Sequence, residues 1–246
     1  QIDIHGGGND LIFPHHENEI AQTESYTGKQ FSRYWIHNGM LQLGGEKMSK
    51  SLGNMVSIKD FLSVRDADVV RMLVLVGSYR APLIFNDETQ DAAEKSLERL
   101  KSALRSASPS ASGLSAEAAS ALAAQAESTK QSFTDAMDDD FNTPLAIAAL
   151  HELVKAVNTA RDSGATDAQL EVAQKTLREL TGVFGLRLQE KQGSSDAEAQ
   201  VNALIAERNE ARKQKQWALS DQLRDKLKEL GVTIEDSKDG TKWRWG

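Results

Sequence analysis

Apolar residues along this chain change their spacing, and the change divides it. Ile2 and Ile4 alternate with polar residues and run into Gly6, Gly7 and Gly8, the pattern of a short strand entering a tight loop. Leu41-Gln42-Leu43 alternates in the same way and Gly44-Gly45 stops it, which predicts a second strand. Between them, Phe31, Tyr34, Trp35, Ile36 and Met40 read as a half-buried strand or turn region, with core packing the default account of the aromatics. From Ser57 on the period is helical. Ser57 with Asp60 three residues later is a variant capping box. Val69, Val70, Leu73, Val74 and Val76 form an apolar patch expected to pack against the amino-terminal domain. Ala93, Leu97, Leu100 and Leu104 recur at four, three and four, as an amphipathic helix requires.

Residues 106–115 are rich in Ser, Ala, Pro and Gly and read as a linker, with a helix predicted from Ala116 to about Met137. Asp138 to Pro144 is helix punctuation. Asn142 or Thr143 caps, Pro144 takes the first turn, and the three aspartates suit that positive helix end, with a bound cation as the lesser alternative. Ile147, Leu150, Val154 and Val157, then Leu170, Ala173, Leu177, Leu180 and Phe184, repeat at helical spacing, which predicts a small antiparallel bundle. Residues 189–200 read as a second linker. One helix is expected over 203–230, with Leu219, Leu223, Leu227 and Leu230 on one stripe and Arg208, Arg212, Lys213, Lys215, Arg224, Lys226 and Lys228 opposite. Gly231 ends it, and 232–234 and 241–245 are expected to form strands about a turn at 236–240. The basic face reads as ordinary solvation, and Trp243 and Trp245 as packing of the hairpin on the helix. An exposed Trp beside Arg244 also suits stacking on unpaired bases.

Composition narrows the class. An apolar fraction of 39% with plentiful Ala and Ser fits helical bundles with modest cores. The absence of cysteine excludes disulfides and an all-cysteine zinc site, and fits a reducing compartment. No apolar run is long enough to span a bilayer and no signal-peptide pattern opens the chain, so a cytoplasmic protein is expected. A net charge of −7 argues against binding nucleic acid by bulk charge, and leaves room for a local basic groove. The chain opens on Gln1 inside a strand-like run, as expected of a piece whose amino-terminal part is missing.

Chemistry concentrates in two stretches. His5 to Glu19, HGGGNDLIFPHHENE, places glycines where a backbone can approach a ligand, then Asp10, whose carboxylate can accept ribose hydroxyls. A strand-to-helix turn that needs glycine for geometry alone is the bland alternative. Pro14 fits the first turn of a helix, so His15 and Glu19 share one face and can hold a metal ion, most plausibly zinc. A simple His–Glu hydrogen bond on a surface helix is the alternative. His16 points about 100° away on such a helix and is set aside as a ligand. Further ligands have to come from His5, water or upstream chain. The second stretch, Lys47-Met-Ser-Lys50-Ser51, is a small loop whose ammonium groups suit charge developing on a leaving pyrophosphate, or else an exposed lysine turn.

KMSKS at 47–51, joined to HGGGND and FPHHENE some 30 residues upstream, resembles the second signature of class I aminoacyl-tRNA synthetases, and in particular the cysteinyl-tRNA synthetase family. The resemblance extends through the helices to the carboxyl tail. It implies a mainly α chain: the carboxyl part of a Rossmann-like α/β nucleotide-binding domain over 1–54, a helical stem-contact region over 55–108, an anticodon-binding bundle over 116–188 and a small α+β anticodon-recognition module over 200–246. It implies that Gly8 and Asp10 face the adenosine of ATP, that His15 and Glu19 are two of four zinc ligands, and that His5 lies near the bound amino acid. Lys50, assisted by Lys47, would be the charge on the phosphates. Arg224, Trp243, Arg244 and Trp245 would face tRNA. Zn²⁺ and Mg²⁺–ATP, cysteine and tRNA(Cys) are the implied cofactor and partners of a monomer.

In that family the other two zinc ligands are cysteines and the first signature is His-x-Gly-His, both upstream; neither occurs in this sequence. These 246 residues alone are therefore not expected to activate cysteine. Two other readings compete. One is a class I relative that joins cysteine to an amino sugar, as in a mycothiol-type pathway, which the bundle around Ile147 and Leu150 and the tryptophan tail argue against. The other is a non-catalytic tRNA-binding remnant.

Overall fold

The computed structural model describes residues 1–43, 46–47, 57–188, 195–214, 216–237 and 240–245, with the backbone alone at 46–47, 195–198, 233, 235–237, 240, 242 and 244–245. Lys50 lies outside the described residues.

Strand β1 (Ile2–Gly8) pairs in parallel with β2 (Ser32–Asn38), in a register that sets His5 beside Trp35 and Gly7 beside His37. A parallel pair needs a crossover, and helix α1 (Glu17–Thr27) supplies it. Gly28 ends α1 in the left-handed region, φ 64°, its amide bonded to the Glu24 carbonyl. The helix starts later than Pro14. Residues Ile12–His16 form an irregular wide turn in which Phe13 is extended and the Phe13–Pro14 peptide is cis. The expected strand at Leu41–Leu43 (β3) is present, between β4 (Glu46–Lys47), antiparallel to it, and β5 (Leu83–Phe85), parallel to it.

Helices follow where capping side chains allow them. Ser57 Oγ accepts the Asp60 amide at 3.1 Å to open α2 (Ile58–Val64), and Asp66 caps α3 (Ala67–Leu75). Asn86 and Thr89 form a reciprocal capping box at α4 (Asp87–Ser102). Ser115 caps α5 (Ala116–Asp138), Asn142 caps α6 (Thr143–Asp162) with Pro144 in the first turn, and Thr166 with Gln169 opens α7 (Asp167–Val183). Short links at 139–142 and 163–166 fold the last three helices against one another. One apolar core runs from α2 through α7, with Met72, Leu100, Leu150, Leu153, Leu170 and Leu177 fully buried. Each such side chain contributes about 1.5–3 kcal/mol by leaving water. Val69 and Leu73 of α3 join this core while Val74 and Val76 stay exposed, so the α3 patch packs on helices rather than on the amino-terminal strands.

At the α5–α6 corner Asp140 and Phe141 have φ of 54° and 53°. Left-handed backbone at a residue other than glycine costs about 1–2 kcal/mol, and persists only where the surroundings impose it. Behind α3, buried Asp68 accepts the amides of Arg187 (2.9 Å) and Leu188 (3.0 Å), which pins the segment after α7.

The chain divides into two compact units, 1–188 and 189–246; the expected boundaries at 54, 108 and 116 fall inside the first. The second unit contains α8 (Ser195–Lys213), α9 (Trp217–Glu229) and an antiparallel hairpin of β6 (Val232–Ser237) and β7 (Gly240–Trp245). Where one helix was expected over 203–230 there are two: the chain breaks after α8, and the Gln216 amide turns back to the Ala211 carbonyl at 2.8 Å. Helix α8 also begins inside the expected linker. The break lets both helices bury apolar residues in one cluster, Val201, Ile205, Leu227 and Val232. Arg208, expected on the solvated face, is buried. Among the described residues no helix is long and apolar enough to cross a membrane.

Candidate nucleotide and metal site

The carboxyl end of β1 and the start of α1 gather four of the chain's five histidines. His5 Nε2 meets Glu19 Oε2 at 2.8 Å, and His15 Nε2 lies 3.8 Å from the other oxygen, Oε1. One carboxylate thus has an imidazole on each side. The i, i+4 relation of His15 to Glu19 survives although His15 belongs to the wide turn before the helix.

His16 is the surprise. It is buried, its Nδ1 is 2.8 Å from His37 Nε2, and its ring packs edge-on against His5 at 4.9 Å. His5, His16 and Glu19 bring ligand atoms within 4.8 Å of one another. The 100° offset that set His16 aside assumed a regular helix through Pro14; the wide turn turns the ring inward instead. Burial pushes the His16 pKa below its ordinary value, the neighbouring His5 and His37 push the same way, and Glu19 opposes. Trp35 lies between these rings, edge-on to His5 at 4.8 Å and stacked on His37 at 6.1 Å. His37 and Trp35 were not singled out as site residues from the sequence. The signal that could have found them is their spacing of two on one strand, which puts both on the same face.

The glycines make room for this arrangement. A Cβ on Gly7 would stand 2.9 Å from His16 Cε1, and one on Gly8 would stand 2.5 Å from Asp10 Oδ1. Gly8 therefore lets the Asp10 carboxylate lie against the end of β1, with Met40 Sδ close by. Gly8 and Asp10 thus adjoin one another and lie at the strand end next to the histidine cluster.

The donor set suits zinc. Two ligands of a tetrahedral zinc at about 2.1 Å stand about 3.4 Å apart. The His15 Nε2–Glu19 Oε1 separation of 3.8 Å is close to that spacing, whereas His5 at 2.8 Å is at hydrogen-bond distance from the other oxygen. The remaining expected site residues fall elsewhere. Of Lys47 the backbone alone is described, in β4, and Lys50 lies outside the described residues. In the second unit Arg224 is exposed and ion-paired to Asp221 at 3.4 Å. Trp243 is half-buried against the apolar cluster, its indole N–H donating to Asn202 Oδ1 at 2.9 Å, and of Arg244 and Trp245 the backbone alone is described, in β7.

Synthetases of known structure share this fold. The LeuRS of Agrobacterium radiobacter K84, solved as a ternary LeuRS-tRNA-LeuAMS complex, superposes with TM-score 0.61 at 22% identity over 76% of this chain and 26% of that one. The methionyl-tRNA synthetase of Mycobacterium tuberculosis with methionyl-adenylate gives TM-score 0.52 at 22% identity, over 75% of this chain and 40% of that one. Residues 1–95 match the family described as tRNA synthetases class I (C) catalytic domain. The fold is that of a class I aminoacyl-tRNA synthetase.

Residues 132–189 match the DALR domain and 194–244 the cysteinyl-tRNA ligase anticodon binding domain. The cysteine–tRNA ligase of Symbiobacterium thermophilum is 43% identical over 99% of this chain and 52% of its own length; that of Pasteurella multocida is 44% identical over 99% and 52%. The chain belongs to the cysteinyl-tRNA synthetase family. It spans about half the length of the curated relatives it matches.

Proposed function

We propose that this chain serves a cysteine–tRNA ligase. In the first step a cysteine carboxylate oxygen attacks the α-phosphorus of Mg²⁺–ATP, the bond to the β-phosphate breaks, and pyrophosphate leaves cysteinyl-adenylate. In the second a hydroxyl of the terminal tRNA(Cys) ribose attacks the acyl carbonyl, and AMP leaves. Neither step needs a protein nucleophile; positioning and charge stabilisation carry both. On this reading Asp10 accepts the ribose hydroxyls in the space left by Gly8. His15 and Glu19 hold zinc, with His5 on the far side of the same carboxylate beside the amino acid. Zinc, when bound, supplies a partner for the substrate thiolate that a serine hydroxyl matches poorly. Lys50, with Lys47, balances the charge of the departing pyrophosphate. Arg224, Trp243, Arg244 and Trp245 meet the anticodon end of tRNA.

The domain reading goes with it: residues 1–54 bind nucleotide, 55–108 meet the tRNA stem, 116–188 form the bundle and 200–246 read the anticodon, in a cytoplasmic monomer. The observation that carries the proposal is the convergence of His5 and His15 on Glu19 beside Gly8 and Asp10.

The test is aminoacylation by a full-length ligase carrying this chain, offered tRNA(Cys) or an aminoglycosyl acceptor. Charging of tRNA alone is expected; transfer to the sugar amine favours the sugar ligase. The 246 residues by themselves are expected to give no cysteine-dependent ATP–pyrophosphate exchange. Exchange by this chain alone contradicts the need for an upstream half.

A further inference from the structure

The segment between α3 and β5, residues 76–82, is tied at both sides by the same two residues. On the site side it bonds through the main chain. The Gly39 amide donates to the Tyr79 carbonyl at 2.7 Å, Asn9 Nδ2 donates to the Arg80 carbonyl at 3.4 Å, and the Leu83 amide donates to the Met40 carbonyl at 3.0 Å. Gly39 is close enough that a Cβ there would overlap the Ala81 carbonyl, so the contact is backbone against backbone. Asn9 and Met40 border Gly8 and Asp10, where the adenosine is proposed to sit.

On the bundle side the same residues bond through their side chains. Tyr79 Oη donates to Asp140 Oδ1 at 2.8 Å. The Arg80 guanidinium grips both oxygens of that carboxylate, Nη2 on Oδ1 at 3.0 Å and Nε on Oδ2 at 2.6 Å, and lies 5.0 Å from the Tyr79 ring centre. Thr143 Oγ1 adds a long bond to the Gly77 carbonyl. The fork is half open to water, so it contributes little to stability. A bidentate fork does fix orientation. The corner that presents Asp140 is held in left-handed backbone at both Asp140 and Phe141.

We propose that Asp140 is a positioning residue for the nucleotide site: by holding Tyr79 and Arg80 it fixes the strap that backs Gly39–Met40 and Asn9–Asp10. The bundle thereby sets the geometry of the ribose-binding loop without touching the nucleotide. This rests on the ligase reading for its substrate, and on the hydrogen bonds alone for its mechanics.

Two measurements test it. In this chain, Asp140→Asn should speed amide hydrogen exchange at Gly39 and Leu83 by about tenfold while leaving Leu150 in the bundle core unchanged, because local opening needs only the strap to release. In a full-length ligase the same variant should raise the KM for ATP about tenfold, with the KM for cysteine and the unfolding midpoint unmoved, and Asp140→Glu should recover part of the loss. Unchanged exchange at Gly39 overturns the proposal. So does faster exchange with an unaltered KM for ATP, or a uniform loss of stability. If the unsubstituted ligase activates no cysteine, the ligase reading fails instead, and hydrogen exchange decides the clamp by itself.

Discussion

The site-bearing front of the chain and the helical bundle behind it are built by opposite means. Among the described residues from 1 to 43 only His16 and Ser32 are buried, both polar, while Ile4, Phe13, Tyr26 and Tyr34 stand open to water. The bundle and the helices leading to it bury a continuous set of Leu, Val, Ala, Ile and Phe. Geometry in the front is held by ring contacts and hydrogen bonds, each individually weak but directional. Stability in the bundle comes from apolar burial, which is strong and indifferent to direction. Within these residues, directional contacts order the site and apolar burial holds the bundle.

The contrast is most easily broken by paired truncations. Leu150→Ala empties a fully buried position and should cost about 2–5 kcal/mol in denaturant unfolding. Ile4→Ala should stay within about 0.5 kcal/mol, since Ile4 is 61% exposed. Comparable costs would mean that the front also lives by its apolar residues. Next in size, Lys50→Ala in a full-length ligase should slow adenylation about a hundredfold or more and leave tRNA binding alone. Equal loss of both would remove Lys50 from the pyrophosphate. Glu19→Gln should weaken zinc retention by at least about tenfold, the loss typical even of an outer-shell partner, read by metal analysis beside the unchanged unfolding midpoint. Full zinc content would return Glu19 to the role of a hydrogen-bond partner for His5.

The smallest effect concerns one polar side chain within the bundle. His151 Nε2 meets Ser96 Oγ at 2.9 Å, while its Nδ1 is buried with no partner among the described residues. Burial lowers its pKa from the ordinary 6.5; Arg99 pushes the same way and Glu152 opposes. A folded-state pKa below the unfolded one means that the unfolded chain takes up the proton first. The stabilisation is therefore present above 6.5 and lost as pH falls below it, toward the folded value. The unfolding midpoint of the native chain should drop over that window by more than that of His151→Gln. Parallel curves would place the acid sensitivity elsewhere.

Much of this was legible because it is local. The start of α5 at Ala116 follows from Ser115 and the apolar period after it, and the Asn142 cap with Pro144 is written in consecutive residues. His15 and Glu19 meet because four residues make about one helical turn. What the chain order hid depends on long-range register. His16 reaches His37 only once β1 and β2 pair in parallel. Asp140 reads as one of three aspartates suited to the positive end of α6, yet its carboxylate spans 60 residues to Arg80, and no local pattern announces that. The helix break after α8 was hidden for a related reason: no Gly or Pro marks it in the sequence, and only the shared cluster of α8 and α9 requires the turn.

The pairing of β1 with β2 also sets which kinds of mutation this region can survive. Side chains alternate along a strand, so a shift of one residue would exchange His5 for Ile4 or Gly6 opposite Trp35 and swing the Gly7–His37 neighbours out of line. Substitutions at open positions such as Ile2 and Ile4 change a surface. A single-residue insertion or deletion ahead of His5 within the strand would replace the group that β1 sets opposite Trp35 and against Glu19. This stretch should accordingly tolerate change at its open positions and none in its length.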